Sequence, residues 1–253
     1  MSKNFELMQQ ASMGREAGPS NIPLQRIRAN GNGNGHSNGN GMDLERFARE
    51  ESLKLVQRVF LLQPATAPRV VVFAGVDPGN GCSRICAETA EALAANGAKS
   101  VCVVEADLRQ PSLPEFFGVT NHRGLTEALL QDGPVKSFVK QLHKENLWFL
   151  SSGSLSSDSP SLLSSDKLRQ RVEELRQQFE YVLVDVPAMN LYADAGPLAK
   201  VADGVIVVLE ANATRREAAR KMMDSLESMG AKVLGAVLNK RTFPVPESLY
   251  RKL

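Results

Sequence analysis

Arg69-Val70-Val71-Val72-Phe73-Ala74-Gly75, followed at once by Val76-Asp77-Pro78-Gly79-Asn80-Gly81-Cys82-Ser83-Arg84, decides the fold of this chain. The first half is short, almost wholly apolar and rich in β-branched residues, as a strand buried on both faces must be. The second half is a glycine-rich turn leading into a helical pattern over Arg84–Asn96. Glycines let backbone N–H groups turn inward around phosphate oxygens, and the start of a helix adds donors and partial positive charge. In the full phosphate-loop motif a lysine follows the last glycine, and a Ser or Thr comes next to hold Mg²⁺. Here Ser83 is present, but Cys82 stands at the lysine position. The competing reading of this segment alone is a plain Gly-Pro turn between strand and helix.

Working outward, the strand signature returns at Ser100–Val104, Leu147–Leu150, Tyr181–Val184, Gly204–Leu209 and Lys232–Leu238. Helical patterns over Leu163–Phe179 and Thr214–Met229 separate several of these runs. Strands alternating with helices predict right-handed crossovers and an α/β fold of the P-loop NTPase type, its mostly parallel central sheet covered by helices on both faces. Ligands of such sheets sit at the carboxyl ends of the strands. Two of those ends carry acids: Glu105-Ala106-Asp107 after the second strand and Asp185 in Val184-Asp185-Val186-Pro187. A carboxylate at a strand tip beside a phosphate loop suits Mg²⁺ or its waters. Singly, each is more often a helix cap or loop ligand, so the signal lies in their order along the chain.

Residues 1–42 form a tail containing an Asn/Gly tract, Ala29 to Gly41, which has nothing to bury and reads as a disordered linker. Leu44, Phe47, Leu53, Val56, Val59 and Phe60 recur at three- and four-residue steps and predict a leading helix over 43–62. The folded unit is then 43–242, with a C-terminal tail at 243–253 that contains Tyr250. Thirty basic residues against 28 acids, a formal charge of +2 in 253 residues, give no basic footprint for nucleic acid. No apolar run approaches the roughly 20 residues of a membrane-spanning helix. The opening Met1-Ser2-Lys3-Asn4-Phe5 has no signal core, and the three cysteines show no disulfide framework, so a cytoplasmic location is expected.

Together these residues resemble the bacterial tyrosine autokinases that control capsule and exopolysaccharide synthesis, within the P-loop ATPases that include MinD and ParA. The likeness rests on Gly75–Ser83 as the Walker A loop and on Glu105 to Leu113 as the extra acidic Walker A′ motif. It continues through Gly124-Leu125, Gly153, Pro160 to Ser165, Asp185 with Pro187, Asp194-Ala195, Asp203-Gly204 and Leu238-Asn239. The resemblance implies ATP and Mg²⁺ as cofactors. Gly79, Asn80, Gly81, Cys82, Ser83, Arg84 and Asn239 would bind nucleotide, with Asn239 at the base. Ser83 and Asp107 would hold the metal, and Asp185 would orient its waters or the attacking hydroxyl. It also implies a membrane-embedded chain-length or co-polymerase protein as partner, placing the chain peripherally at the inner membrane, and self-association through Glu51, Lys54 and Gln57. Ordinary solvation of that helix face is the alternative for those three.

Three departures bear on mechanism. Without the lysine, transfer should slow roughly 10²-fold, about 3 kcal/mol. Arg84 is the candidate substitute cation and so joins Asp185 and Asp107 as a catalytic candidate. A helix start can lower a thiol's pKa, which would make Cys82 reactive. Glu105 stands where the family usually has Asp, one methylene further out. The family's C-terminal tyrosine cluster is reduced to Tyr250, a candidate phosphoacceptor or simply a packing residue. The expected function is therefore a kinase-like regulator of polysaccharide synthesis or export with weak or absent kinase activity. The alternatives are an active tyrosine autokinase with a substitute cation and a MinD- or ParA-like positioning ATPase.

Overall fold

The computed structural model describes residues 49–62, 66–192 and 195–240. The 1–42 tail, the first residues of the predicted leading helix, Asp194 and the tail with Tyr250 lie outside the described residues. Helix α1 occupies residues 49–56 and widens into a π-helical turn at Gln57–Leu61. Seven strands follow: β1 (Val70–Gly75), β2 (Val101–Glu105), β3 (Lys140–Gln141), β4 (Leu147–Leu150), β5 (Tyr181–Val186), β6 (Gly204–Glu210) and β7 (Val233–Asn239). They form one sheet in the order β3-β4-β2-β5-β1-β6-β7, and every pairing is parallel except that of the two-residue edge strand β3 with β4. The remaining helices are α2 (Cys82–Ala95), α3 (Leu113–Phe117), α4 (Leu125–Leu130), α5 (Ser159–Leu163), α6 (Asp166–Gln178), α7 (Ala195–Val201) and α8 (Arg216–Ser228).

Alternation along the central strands builds two cores. Val70, Val72 and Ala74 of β1 join α4, α6, α7 and α8 on one face. Val71 and Phe73 join α1, α2 and Leu113 of α3 on the other. The expected α/β sheet covered on both faces is what the chain forms. The predicted helix over Leu163–Phe179 forms as α6, which starts three residues later because the Ser165 hydroxyl caps it by accepting the Leu168 N–H; α5, ending at Leu163, precedes it. At the amino ends of the strands Asp203 accepts the N–H groups of Arg69 (2.7 Å) and Val70 (2.8 Å) and both contacts from Arg176 Nη1 (2.8 Å). Partial burial pushes its carboxyl up, but these donors and the Arg176 charge bring it below the usual range. This clamp lies at the end of the sheet opposite the phosphate loop.

Val56 and Phe60 are fully buried, and the Phe60 ring stands edge-on to Tyr181 at 5.3 Å. Phe60→Ala is therefore expected to cost about 3–4 kcal/mol in urea unfolding. A change near zero would show that α1 is not part of the cooperative unit.

Candidate nucleotide site

β1 runs between β5 and β6, so its carboxyl end delivers the phosphate loop between the tips of those strands. Gly79 and Gly81 have φ of +77° and +83°, the left-handed turns that aim the loop into the first turn of α2. The loop is pinned from beneath. Asn80 is buried; its Nδ2 donates to the Val208 carbonyl (2.9 Å), and its Oδ1 accepts the Cys82 N–H (3.1 Å). Asn239, at the end of β7, donates from Nδ2 to the Asn80 carbonyl (2.8 Å). The glycines are required by these contacts: a Cβ on Gly75 would collide with Asn80 Nδ2, and one on Gly81 with Asn239 Nδ2. Beside the loop, Asn190 Nδ2 donates to Asp77 Oδ1 (2.9 Å), and the Met189 and Asn190 N–H groups donate to the carbonyls of Gly75 and Val76. An adjoining cleft of about 400 Å³ is lined by Asp77, Pro78, Asn190, Glu210 and Thr214 among others.

Parallel register sets Glu105 of β2 directly beside Asp185 of β5. Both carboxylates are buried. Burial raises the Asp185 carboxyl to about 7, hydrogen bonding from Ser83 and Cys82 opposes that rise, and Asp107 adds to it. None of these influences is a cation. Asp185 Oδ1 is the buried side-chain oxygen with no hydrogen-bond partner among the described residues. Glu105 is also pushed up by burial and by Asp185, against the pull of the Leu113 and Asp107 N–H groups. Asp107 is half-buried; its Oδ1 accepts the N–H groups of Arg109 (3.0 Å) and Gln110 (2.8 Å).

A hydroxyl and carboxylates, all hard oxygen donors, with one buried oxygen unpartnered, are the chemistry Mg²⁺ takes. Among the described residues no three His, Cys, Asp or Glu side chains form a self-contained metal cage. The fit is therefore to a metal that brings ligands of its own, as a nucleotide-borne Mg²⁺ does.

Cys82 opens α2 as a buried residue. Burial pushes its thiol well above the usual value, and Asp185 adds to the shift, so the expectation of a helix-activated thiolate fails. Arg84 Nε is paired with Glu88 Oε1 at 2.7 Å, one turn along α2. Glu51 and Lys54 pair with each other at 2.5 Å on the exposed face of α1, next to exposed Gln57. Thus Gly79, Asn80, Gly81, Cys82, Ser83, Asp107, Asp185 and Asn239 belong to one strand-end cluster, while Glu51, Lys54 and Gln57 lie on α1. Several supports were not foreseen. Arg109 stacks on the Tyr192 ring at 4.4 Å, joining the loops after β2 and β5. Glu127 accepts the N–H groups of Gly124 (2.8 Å) and Ser154 (3.1 Å), latching the loop after β4. The glutamate three residues after Gly124 was the available signal for the latter.

Such a site on such a sheet defines a P-loop NTPase. The ParA family described as "NUBPL iron-transfer P-loop NTPase" matches residues 67–251, and the chain belongs to that family. The chain is 32% identical over 169 residues to the Tyrosine-protein kinase YwqD of Bacillus subtilis, covering 67% of this chain and 71% of that one. It is 33% identical to the Succinoglycan biosynthesis transport protein ExoP of Rhizobium meliloti, over 68% of this chain but 22% of ExoP. Among solved structures, the chimerical protein CapA2B2 superposes with a TM-score of 0.72 at 27% identity, covering 77% of this chain and 85% of that one. The cell-division ATPase MinD of Pyrococcus furiosus shares the fold, with a TM-score of 0.60 at 23% identity over 73% of this chain and 78% of that one.

Asp185 carries a folded pKa of about 7 against an ordinary value of 3.8, so between those values the folded protein holds a proton that the unfolded chain releases. Stability from this group is fully present below about 4 and is lost as pH rises through 7. In EDTA, Asp185→Asn should melt higher than wild type by roughly 3 °C or more at pH 8, with the gain shrinking toward pH 5. A pH-independent difference in thermal melts would refute the buried, cation-free assignment.

Proposed function

We propose that this chain is a regulator related to the bacterial tyrosine kinases, binding a nucleotide at Gly79–Ser83 with little or no phosphoryl transfer. The observation that carries this reading is the buried Asp185 carboxyl, whose pKa is shaped by burial, by Ser83, by the neutral thiol of Cys82 and by Asp107, and by no cation among the described residues. Transfer is accelerated chiefly by positioning and by neutralising charge on the moving phosphoryl group, so the missing ammonium bears on rate more than on the frame of the site. Ser83 and Asp107 would hold Mg²⁺, and Asp185 would accept hydrogen bonds from its waters. When bound, that ion supplies charge neutralisation on the phosphates. The chain's own residues contribute the loop amides, held in place by Asn80 and Asn239, and the loop after β2, held by Glu105.

A role in polysaccharide synthesis or export is supported by relatives named for tyrosine-kinase and succinoglycan-transport functions. A membrane-embedded co-polymerase is the partner this reading requires, and no helix among the described residues is long and apolar enough to cross a membrane. The active-kinase alternative requires Arg84 to leave Glu88 and turn to the phosphates, which the 2.7 Å pair opposes.

Calorimetric titration of Mg–ATP tests the proposal. Wild type is expected to bind, and Cys82→Lys to bind ~10-fold tighter or better, as one charge-assisted contact is added. Absence of binding to both proteins would end the nucleotide reading. With labelled ATP, wild type should incorporate little or no phosphate; substantial incorporation abolished by Tyr250→Phe and by Asp185→Asn would establish the active kinase instead.

A further inference from the structure

We propose that Glu105 is a positioning residue, which closes the loop bearing Asp107 and touches neither nucleotide nor metal. The inference rests on the nucleotide-site reading only for what Asp107 does; the loop closure stands by itself. Of the two acids buried side by side at the tips of β2 and β5, only one has capacity to spare. Asp185 Oδ1 has no partner among the described residues, whereas Glu105 has both oxygens engaged. Glu105 Oε1 accepts the Asp107 N–H (3.1 Å), and Oε2 accepts the N–H groups of Ser112 and Leu113 (3.0 Å each). One carboxylate thus grips both ends of the segment 107–112.

The grip answers a local need. Helix α3 begins at Leu113, and the Ser112 side chain makes no cap for it. The Leu113 N–H that opens it is buried near the sheet, where an unpaired donor is costly, and Glu105 supplies the acceptor from eight residues back. Inside the gripped segment Leu108 is buried and its carbonyl accepts the Ser156 N–H (3.0 Å), so the loop is held from below as well. Asp107 is then fixed twice: by its own N–H on Glu105, and by its Oδ1 under the amides of Arg109 and Gln110. An aspartate at position 105 would hold its carboxylate one C–C bond, about 1.5 Å, further back and could not reach both ends. The extra methylene is what lets a strand-end acid work as a loop clasp.

The test uses two readouts on the full chain. In nucleotide-free, Mg²⁺-free protein, amide exchange followed by NMR should show Asp107, Ser112 and Leu113 protected. Glu105→Asp should lower that protection ~10-fold or more at Ser112 and Leu113, through the loss of the hydrogen bonds that Glu105 accepts there. Protection across β1 and β5 should be unchanged. Glu105→Gln, close to isosteric, should give an intermediate loss, since it keeps one acceptor oxygen, and it decides the question if Glu105→Asp does not fold. The second readout is ADP affinity with and without Mg²⁺. Glu105→Asp should leave Mg²⁺-free affinity little changed and remove most of the Mg²⁺ enhancement, as Asp107→Asn also should. Unchanged exchange at Ser112 and Leu113 overturns the proposal. So does a Glu105→Gln protein with wild-type exchange that has lost ADP binding, because Glu105 would then be a ligand. If wild type binds no ADP, the nucleotide reading fails, and the exchange data alone decide the clasp.

Discussion

A carboxylate buried at the tip of the strand next to β1, with one oxygen unpartnered and no cation acting on it among the described residues, is the constraint on which the rest of this site depends. Burying an ionised group is costly unless it is paired, and the usual escape is neutralisation. Asp185 takes part of that escape, with its carboxyl raised to about 7 and neutral donors at Ser83 and Cys82 opposing the rise. The neighbouring acid at Glu105 is pushed up in the same direction and in addition fills its acceptor capacity with backbone amides. Two carboxylates in register on adjacent strands would repel in any arrangement. The sheet accommodates them because burial pushes both toward the neutral form, while backbone amides hold Glu105 in place.

The same constraint decides the chemistry of Cys82. Its position at the first residue of α2 suggests a lowered thiol pKa, since a helix terminus favours nearby negative charge by about 0.3–1 kcal/mol, and up to ~2 kcal/mol when partly buried. Complete burial acts in the opposite direction and can move a group by several pKa units. A carboxylate neighbour adds to it. Burial wins, and the thiol remains a small neutral side chain. Sequence position alone could not reveal this, because the direction of the first side chain of a helix depends on what lies beneath it.

What could be read from the sequence divides along physical lines. Central strands were visible because burial on both faces demands continuous apolar runs, as in Val70–Gly75 and Tyr181–Val186. The acids at their tips were visible because an Asp or Glu that closes an apolar run stands out against it, at the strand end where such sheets hold their ligands. The helices α3, α4, α5 and α7 were not, since five to seven residues hold no more than two turns and show no periodicity. The start of α6 at Asp166 rather than Leu163 was hidden for a different reason: the apolar period runs on toward Leu163 while the Ser165 hydroxyl sets the cap. Within the site, identities such as Ser83, Asp107 and Asp185 were legible, but partnerships were not. That Arg84 pairs with Glu88, that Asn239 latches to the Asn80 carbonyl and that Glu105 grips three amides depend on side-chain direction, which spacing does not determine.

The balance between binding and transfer follows from where the loop obtains its order. A phosphate cradle gathers its affinity from several backbone N–H groups, and those are arranged here by Asn80 beneath the loop and by Asn239 from β7. Neither latch involves a lysine. Removing an ammonium therefore leaves the geometry of the cradle intact and deletes one charge from it. One of its amides, that of Cys82, is already engaged by Asn80 Oδ1, so the cradle is also partly satisfied from within. Ground-state binding, spread over many weak donors and aided by whatever cation the ligand carries, tolerates both losses better than a transition state does, because charge on the moving group must be met where it develops. Under the proposed function, a molecule of this design would still bind a nucleotide while losing most of its capacity to transfer the phosphoryl group.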